Sequence, residues 1–191
     1  MYFRTSKKTY CLSQLTIATH RLLLIPFTAH SCSAVLNNNL NALAALGLQP
    51  GNGYPDDETL QTLPRILINL GKVPEPSGFE SWMVVIKDTN TIIGDVGFKG
   101  IPNSTGAIDI GYGLIATERK KGYAHEAVAG LIKWAFSQPQ VKVITARSLT
   151  DNIASARVLQ KLYFNAETEH DGMLHWLLRK PDEVVTRYVH R

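Results

Sequence analysis

The chain has few cysteines and no long hydrophobic run, and both shortages limit what it can be. Cys11 and Cys32 are the only cysteines among 191 residues, too few for the disulfide framework of a small secreted domain. The apolar run near the start, Leu22 to Phe27, is far shorter than the ~20 residues that a membrane span needs. No apolar core precedes a small-residue cleavage site at the N-terminus. We therefore expect a soluble cytoplasmic protein with no membrane partner.

Charge and composition are ordinary. The chain has 20 Lys and Arg against 16 Asp and Glu, with a net charge of +4. That balance suits small anionic ligands as well as nucleic acid. Basic and aromatic residues do not alternate as they do on base-stacking surfaces, so no nucleic-acid partner is predicted. The histidines are scattered without metal-ligand spacing, so no metal is predicted.

The length favours one domain with short extensions. We expect an N-terminal arm over residues 1–19, a domain over 20–180 and a C-terminal tail over 181–191. Nothing in the sequence locates a self-association surface, so the chain is expected to be a monomer or a homodimer.

Hydrophobic periodicity predicts the order strand, helices, three-strand meander, helix, strand, helix, hairpin. The three strands of the meander lie close together and are joined by short turns, so they should be antiparallel. The strand–helix–strand step that follows should add a parallel pair, because a helical crossover usually joins parallel strands. The fold class is therefore α+β, with a mixed, mostly antiparallel central sheet flanked by helices. The predicted elements are a strand at 22–25, one helix over 29–46 or two shorter ones, a helix at 56–70, strands at 81–87, 91–99 and 107–115, a helix at 122–137, a strand at 141–149, a helix at 151–163, and strands at 165–170 and 173–179.

The third strand of the meander has an unusual face. Asp109, Gly111 and Gly113 share that face by the period-two alternation of a strand, and Ile110 and Tyr112 lie on the other. Glycine inside a strand often marks the close approach of a ligand or another backbone. We expect a ligand against this strand, with Asp109 facing it. A glycine bulge at a sheet edge with a solvated Asp109 is the alternative.

A basic loop follows that strand and opens an amphipathic helix. Its sequence is Arg119-Lys120-Lys121-Gly122-Tyr123-Ala124. The first backbone N–H groups of a helix have no internal partner and lie at the positive end of its dipole, which suits a phosphate. Several donors and three cations favour a pyrophosphate over a carboxylate.

Two other phosphate-binding motifs fit the sequence poorly. No segment ends in the Gly-Lys-Ser/Thr of a P-loop. Gly111-x-Gly113-x-x-Ala116 matches a dinucleotide fingerprint, but these glycines lie inside a strand instead of in a turn that opens a helix. The acidic residue expected about 20 residues later is also missing, because no Asp or Glu occurs between Ala127 and Thr150.

The segment Arg119-x-x-Gly122-x-Ala124 resembles the acyl-CoA signature of the GNAT superfamily of N-acetyltransferases. The resemblance extends to Asp151-Asn152-x-x-Ser155 about 30 residues later, and it covers about residues 20–180. The pattern is similar to the branch that contains ribosomal-protein N-terminal acetyltransferases. Two positions depart from it: Tyr163 stands where the family usually has glycine, and Ala116 where it often has proline. Because the family glycine ends a helix with positive φ, a strained or rearranged cap is expected at Tyr163.

The resemblance implies acetyl transfer from acetyl-CoA to an amine, either a small molecule or a protein N-terminus. It implies that Arg119 and the backbone of residues 120–124 hold the pyrophosphate. The pantetheine arm would pair with the backbone of Leu114 and Ile115, and the N–H near Leu114 would support the oxyanion.

The remaining roles concern proton transfer. Asp109 is the first candidate for the base that deprotonates the amine, and Asp95 is the second. The family tyrosine that protonates the leaving thiolate is replaced by Leu159. The resemblance then assigns Ser155 to that step and Asn152 to orienting the pantetheine or a water. Helix capping and packing is the alternative for these two residues, and a non-catalytic acyl-CoA-binding module is the alternative for the whole protein.

Overall fold

The structure is a computed structural model that describes residues 15–181. Cys11, most of the predicted arm and almost all of the predicted tail lie outside these residues. Ile17 and Ala18, inside the stretch predicted as an arm, form a short strand.

The strands of the described chain form one nine-stranded sheet in the order β1-β2-β4-β5-β6-β7-β9-β8, with β3 paired alongside β5. The meander β4-β5-β6 is antiparallel and the step from β6 to β7 is parallel, which confirms the mixed α+β sheet predicted from the sequence. The strands are Ile17–Ala18 (β1), Leu22–Pro26 (β2), Gln49–Pro50 (β3), Ser81–Ile86 (β4), Thr91–Phe98 (β5), Ala107–Leu114 (β6), Val143–Leu149 (β7), Asn165–His170 (β8) and Met173–Arg179 (β9).

Four of the five α-helices in the described chain begin at a side chain that caps a free N–H group, and the helix Tyr123–Ser137 begins at Gly122 without such a cap. The region 29–46 forms two helices, because Asn39 caps the second by accepting a hydrogen bond from the N–H of Ala42 at 3.0 Å. Asp56 caps the next in the same way through Thr59. No helix within residues 15–181 is long and apolar enough to span a membrane. The helices are Ala29–Leu36 (α1), Leu40–Ala45 (α2), Asp57–Leu70 (α3), Tyr123–Ser137 (α4) and Ile153–Lys161 (α5), and a short 3₁₀ turn covers Ala116–Glu118.

The two faces of the sheet carry different helices. On one face, Trp134 of α4 packs on Trp82 and Phe98, with ring centroids 5.6 and 6.3 Å apart. Asp95 and Gly97 alternate with Phe98 along β5, so they belong to the opposite face, which α3 covers. Buried apolar residues lie on both faces of the sheet, and a cavity opens between α3 and the part of the sheet that contains Asp95 and Gly97.

A gap opens between the parallel strands β6 and β7. Their pairing ends at Ile110 and Ala146, although β7 stays paired to β9 as far as Leu149. Residues 111–114 of β6 therefore have no neighbouring strand on the β7 side. The structure thus contains an opening beside the glycine-rich half of β6, where the sequence predicts a ligand.

On the other side of β6, strand β5 runs so close to the β6 backbone that position 94 must be glycine. The pairing of β4 with β5 shifts register between Val84 and Val85, opposite Gly94. A Cβ at Gly94 would collide with the carbonyl oxygen of Gly113. A bulge increases local strand twist, and this irregularity lies at the level where the gap opens.

The helix cap at Tyr163 has the conformation expected of the family glycine. Its φ is 65°, and its side chain is exposed. The backbone therefore keeps the left-handed turn despite the larger residue. Exposure lets the ring point into solvent, so the substitution leaves the adjoining core residue Phe164 buried.

Candidate active site

The basic loop ends in a set of unpaired backbone donors. Gly122 is the N-cap of α4, with a φ of 85°, and Lys120 also has a positive φ, of 63°. The first backbone bond of the helix runs from the N–H of Glu126 to the carbonyl of Gly122. Within the described chain the N–H groups of Tyr123, Ala124 and His125 therefore donate to no backbone carbonyl. Free N–H groups at the start of a helix suit an anion, and the phosphate site expected at this loop stays a prediction.

Arg21, a residue that the sequence analysis missed, supports this loop. Its Nη1 donates to the carbonyl of Lys121 at 3.0 Å, and its guanidinium lies 4.4 Å from the ring centroid of Tyr123. Its Nε donates to Glu126 at 2.8 Å. Arg21 precedes Lys121 by 100 residues, so no local motif connects them. Only the tertiary fold brings Arg21 to the loop.

Glu126 joins the start of α4 to the turn between β1 and β2. Its carboxylate accepts hydrogen bonds from the hydroxyl of Thr19 and the backbone N–H of Arg21, both at 2.6 Å, in addition to the guanidinium. Burial alone would raise the pKa of Glu126, but these hydrogen bonds and the charge of Arg21 outweigh it and lower the pKa. The ionised carboxylate therefore stabilises the fold.

We expect Glu126→Gln to lower the free energy of unfolding at pH 7 by about 1–3 kcal/mol, because an amide cannot accept all three charge-assisted bonds. The loss should shrink as the pH falls below the pKa of an unfolded glutamate toward the lower native pKa, where the native carboxylate is also protonated. Urea unfolding at pH 7 and pH 3 measures it. Glu118→Gln, which removes a side-chain pair with Lys121, is the control and should change stability by less than about 0.5 kcal/mol.

Arg119 points toward α3. Its Nε donates to the carbonyl of Leu114 at 2.7 Å, and its Nη2 lies 3.5 Å from Glu58 and 3.7 Å from Asp56. The guanidinium thus fixes the end of β6 against the start of α3. Of the other predicted phosphate ligands, Lys121 pairs with Glu118 at 2.9 Å, and the side chain of Lys120 is exposed.

Leu114 and Ile115, the two residues predicted to pair with a pantetheine arm, differ in whether their backbone groups are free to bind it. The N–H of Ile115 donates to Ile93, and its carbonyl accepts from Glu118, both at 3.0 Å. Because neighbouring residues of a strand point their N–H groups in opposite directions, the N–H of Leu114 faces the gap. The same alternation directs the backbone of Tyr112 there. Leu114 and Tyr112 therefore line the opening, and Ile115 is bound within the protein.

Asn152 and Ser155 lie beside the gap and are joined to Tyr112. Asn152 caps α5 through the N–H of Ser155 at 3.0 Å, as the capping alternative expects. The hydroxyl of Ser155 lies 2.8 Å from that of Tyr112. Burial raises the pKa of Tyr112, and the bond to Ser155 only partly offsets this. Tyr112 is thus a protonated hydroxyl in the unpaired part of β6. The sequence signal was a lone polar group on an otherwise aliphatic strand face.

A cavity of about 570 Å³ lies on the opposite side of β6, between the sheet and α3. Asp95, Gly111 and Gly113 line its sheet side, and Leu114 connects it to the gap. Removal from water, followed by the charge of Asp56, raises the pKa of Asp95 to about 7. A carboxylate that exchanges a proton near neutral pH therefore lines this cavity.

Asp109 shares the sheet face of Asp95 but has different neighbours. Its Oδ2 lies 2.7 Å from Lys99 and 3.3 Å from Arg147. Its Oδ1 is buried without a hydrogen-bond partner among the described residues. Asp109 does not belong to the cavity lining. Asp95 therefore lines the cavity together with Gly111, Gly113 and Leu114, whereas Asp109 does not.

No group of three or more His, Cys, Asp or Glu side chains in the described chain is arranged to hold a metal ion.

Comparison with known families decides what this arrangement is. Residues 21–165 match the family of acetyltransferase (GNAT) domains. The chain is a GNAT acetyltransferase. The match covers more than half of the chain, and the family resemblance predicted from the acyl-CoA signature is confirmed.

Relatives of this GNAT acetyltransferase support the assignment. An uncharacterized N-acetyltransferase of Bacillus subtilis, YjdG, is 34% identical over 161 residues, which cover 84% of this chain and 96% of the relative. Together these matches make the protein an acyltransferase, specifically an N-acetyltransferase of the GNAT family.

Solved structures share the fold of this GNAT acetyltransferase. A ribosomal-protein-S5-alanine acetyltransferase from Vibrio fischeri matches with a TM-score of 0.65 and 20% identity, over 88% of this chain and 98% of that one. RimL, a ribosomal L7/L12 α-N-protein acetyltransferase solved with coenzyme A, matches with a TM-score of 0.62 and 17% identity, over 86% and 98% of the two chains.

Proposed function

We propose that the protein transfers the acetyl group of acetyl-CoA to a primary amine while both substrates are bound. One observation carries the proposal: Leu114 borders both the gap and the cavity that holds Asp95, and the unpaired N–H groups of α4 begin nine residues after it. A molecule with a phosphate at one end and a thioester at the other fits between them. The coenzyme A bound to the neighbour RimL has that form.

The pyrophosphate lies at the N–H groups of residues 120–124, with Lys120 and Lys121 adding positive charge. The pantetheine amides pair with the backbone of Tyr112 and Leu114 as an added strand would. Arg119 is a positioning residue in this proposal, because its bond to the carbonyl of Leu114 fixes the strand end that meets the thioester.

The reaction needs a neutral amine. Asp95, directly or through a water, accepts the proton of the bound ammonium group, and the amine nitrogen then attacks the thioester carbonyl carbon. The N–H of Leu114 stabilises the oxyanion. The C–S bond breaks as the amide forms, and the thiolate takes a proton from the Tyr112–Ser155 pair, with Asn152 holding the start of α5. Asp109 is the second candidate for the base.

Two measurements on the wild-type protein test the proposal together. Calorimetry should show acetyl-CoA binding below millimolar ligand, and an amine panel should release free thiol in proportion to acetylated product. Thiol release without an amine, or no binding at that concentration, contradicts the proposal. Binding without thiol release from any amine supports the non-catalytic module instead.

A further inference from the structure

We infer that the amine acceptor carries an anionic group, a carboxylate or a phosphate, about 10 Å from its reactive nitrogen. The inference rests on the proposed function and concerns the cavity between α3 and the sheet. The charged side chains of this cavity are separated by sign along its length.

The end of the cavity near the thioester is acidic. Asp95 lies on its sheet side, and Asp56 and Glu58 lie at the start of α3 above it. Arg119 pairs with both of these acids, at 3.7 and 3.5 Å. With Asp95 ionised, three carboxylates face one guanidinium. This end attracts a protonated amine and places it beside Asp95.

The other end of the cavity is basic. Lys99 follows Asp95 by four residues on the same strand face, so their Cα atoms are about 13 Å apart. Arg65 follows Glu58 by seven residues of α3, which places it about 10 Å further along the helix. Lys72 lines the same end beyond Arg65.

Nearby carboxylates do not cancel this positive charge. Glu80 lines the cavity, but its oxygens accept bonds from the backbone N–H groups of Ser77 and Gly78 and from the Ser77 hydroxyl. Asp109 is shared by Lys99 and Arg147. Counting all of these groups, four cations face two carboxylates, so the end keeps a net positive charge.

The floor between the two ends is bare. A Cβ built at Gly111 or Gly113 would meet no atom within 4 Å. Packing within the protein therefore does not require glycine at either position. The open floor leaves room for an extended acceptor chain lying along β6, with its amine toward Leu114 and its anion toward Lys99.

This layout discriminates among amines by charge. A polyamine would place a second cation among Arg65, Lys72 and Lys99 and should be a poor acceptor. An amine with a neutral tail gains no electrostatic stabilisation at the basic end. An acceptor with an anion at the matching distance gains at both ends, because each charge meets its opposite in a partly enclosed cavity.

The test uses amidated tripeptides that differ only at the third side chain. Ala-Ala-Asp-amide and Ala-Ala-phosphoserine-amide carry an anion, Ala-Ala-Asn-amide is the neutral match, and Ala-Ala-Lys-amide is cationic. We expect kcat/KM for an anionic peptide to exceed that of the neutral match by about tenfold or more, with the cationic peptide lowest. The relative rates of the aspartate and phosphoserine peptides distinguish the two sources of negative charge.

A charge reversal links the preference to the cavity. Arg65→Glu should reduce or invert the ratio of kcat/KM between the aspartate and asparagine peptides. Lys133→Glu makes the same charge change on α4, across the sheet, and should leave that ratio unchanged. Equal kcat/KM for the anionic and neutral peptides overturns the inference. If both peptides still release thiol, the proposed function stands. No thiol release from any acceptor overturns both.

Discussion

Gly122→Glu is expected to weaken acetyl-CoA binding by at least about 100-fold in calorimetry. The substitution places a carboxylate at the N-cap of α4, among the N–H groups that are proposed to bind the pyrophosphate. The new side chain both occupies those donors and repels the phosphates. The φ of 85° at this position adds a backbone cost of order 1 kcal/mol, which needs its own control.

Two variants separate ligand exclusion from backbone strain. Gly122→Ala carries the same left-handed backbone without a charge, and its Cβ would lie 3.3 Å from the flexible guanidinium of Arg21. Gly172→Glu places glutamate at another positive-φ glycine, with a φ of 70° and open space around it, in the β8–β9 turn. We expect both to bind acetyl-CoA far more tightly than Gly122→Glu. Wild-type affinity in Gly122→Glu would contradict the assigned phosphate contact.

Fold integrity of Gly122→Glu is expected, because the helix end tolerates a negative charge. A carboxylate at the start of a helix interacts favourably with the dipole and can accept the otherwise unpaired N–H groups. Circular dichroism and thermal unfolding should therefore stay close to those of Gly122→Ala. A large drop in Tm in Gly122→Glu alone would mean that the loss of binding reports unfolding.

Local patterns were sufficient to predict most of the fold. The alternation of apolar residues along β4, β5 and β6 and the short turns between them determine an antiparallel meander, and α4 then makes β6 and β7 parallel. Glycines in β6 also predicted an open strand face. The short strands β1 and β3 escaped prediction, since each has only two residues and is defined by its partner strand.

The ranking of site residues depends on contacts that no local pattern contains. The sequence analysis ranked Asp109 above Asp95 because Asp109 shares its strand face with Gly111 and Gly113, although both aspartates lie on one face of adjacent strands. The difference comes from Lys99 and Arg147, which flank Asp109, and from burial together with the charge of Asp56, which raise the pKa of Asp95. Arg119 shows the same limit. Its signature position predicted a phosphate ligand, but acids at the start of α3 lie within reach of it.

We expect Asp95→Asn to lower kcat/KM at pH 8 by about 10²–10⁴, the usual contribution of a general base. The pKa of about 7 means that the wild-type base loses its proton as the pH rises through 7. Wild-type kcat/KM should therefore rise from pH 6 to pH 8. Asp95→Asn lacks this ionisation, so any remaining dependence of its kcat/KM on pH comes from deprotonation of the acceptor amine. Asp109→Asn is the matched variant and should keep both the slope and most of the rate.

Stability provides the check that separates catalysis from folding. A carboxyl whose pKa is raised from 3.8 to about 7 binds its proton more tightly in the native state, so the stability of the wild-type protein falls as the pH rises from about 4 to about 7. Asp95→Asn removes this loss and should be more stable than wild type at pH 8, by at most ~4 kcal/mol, and nearly equal to it at pH 4. A variant that loses turnover while its Tm at pH 8 rises has lost a base and not its fold. If Asp109→Asn loses the pH-dependent limb and Asp95→Asn keeps it, the base is Asp109.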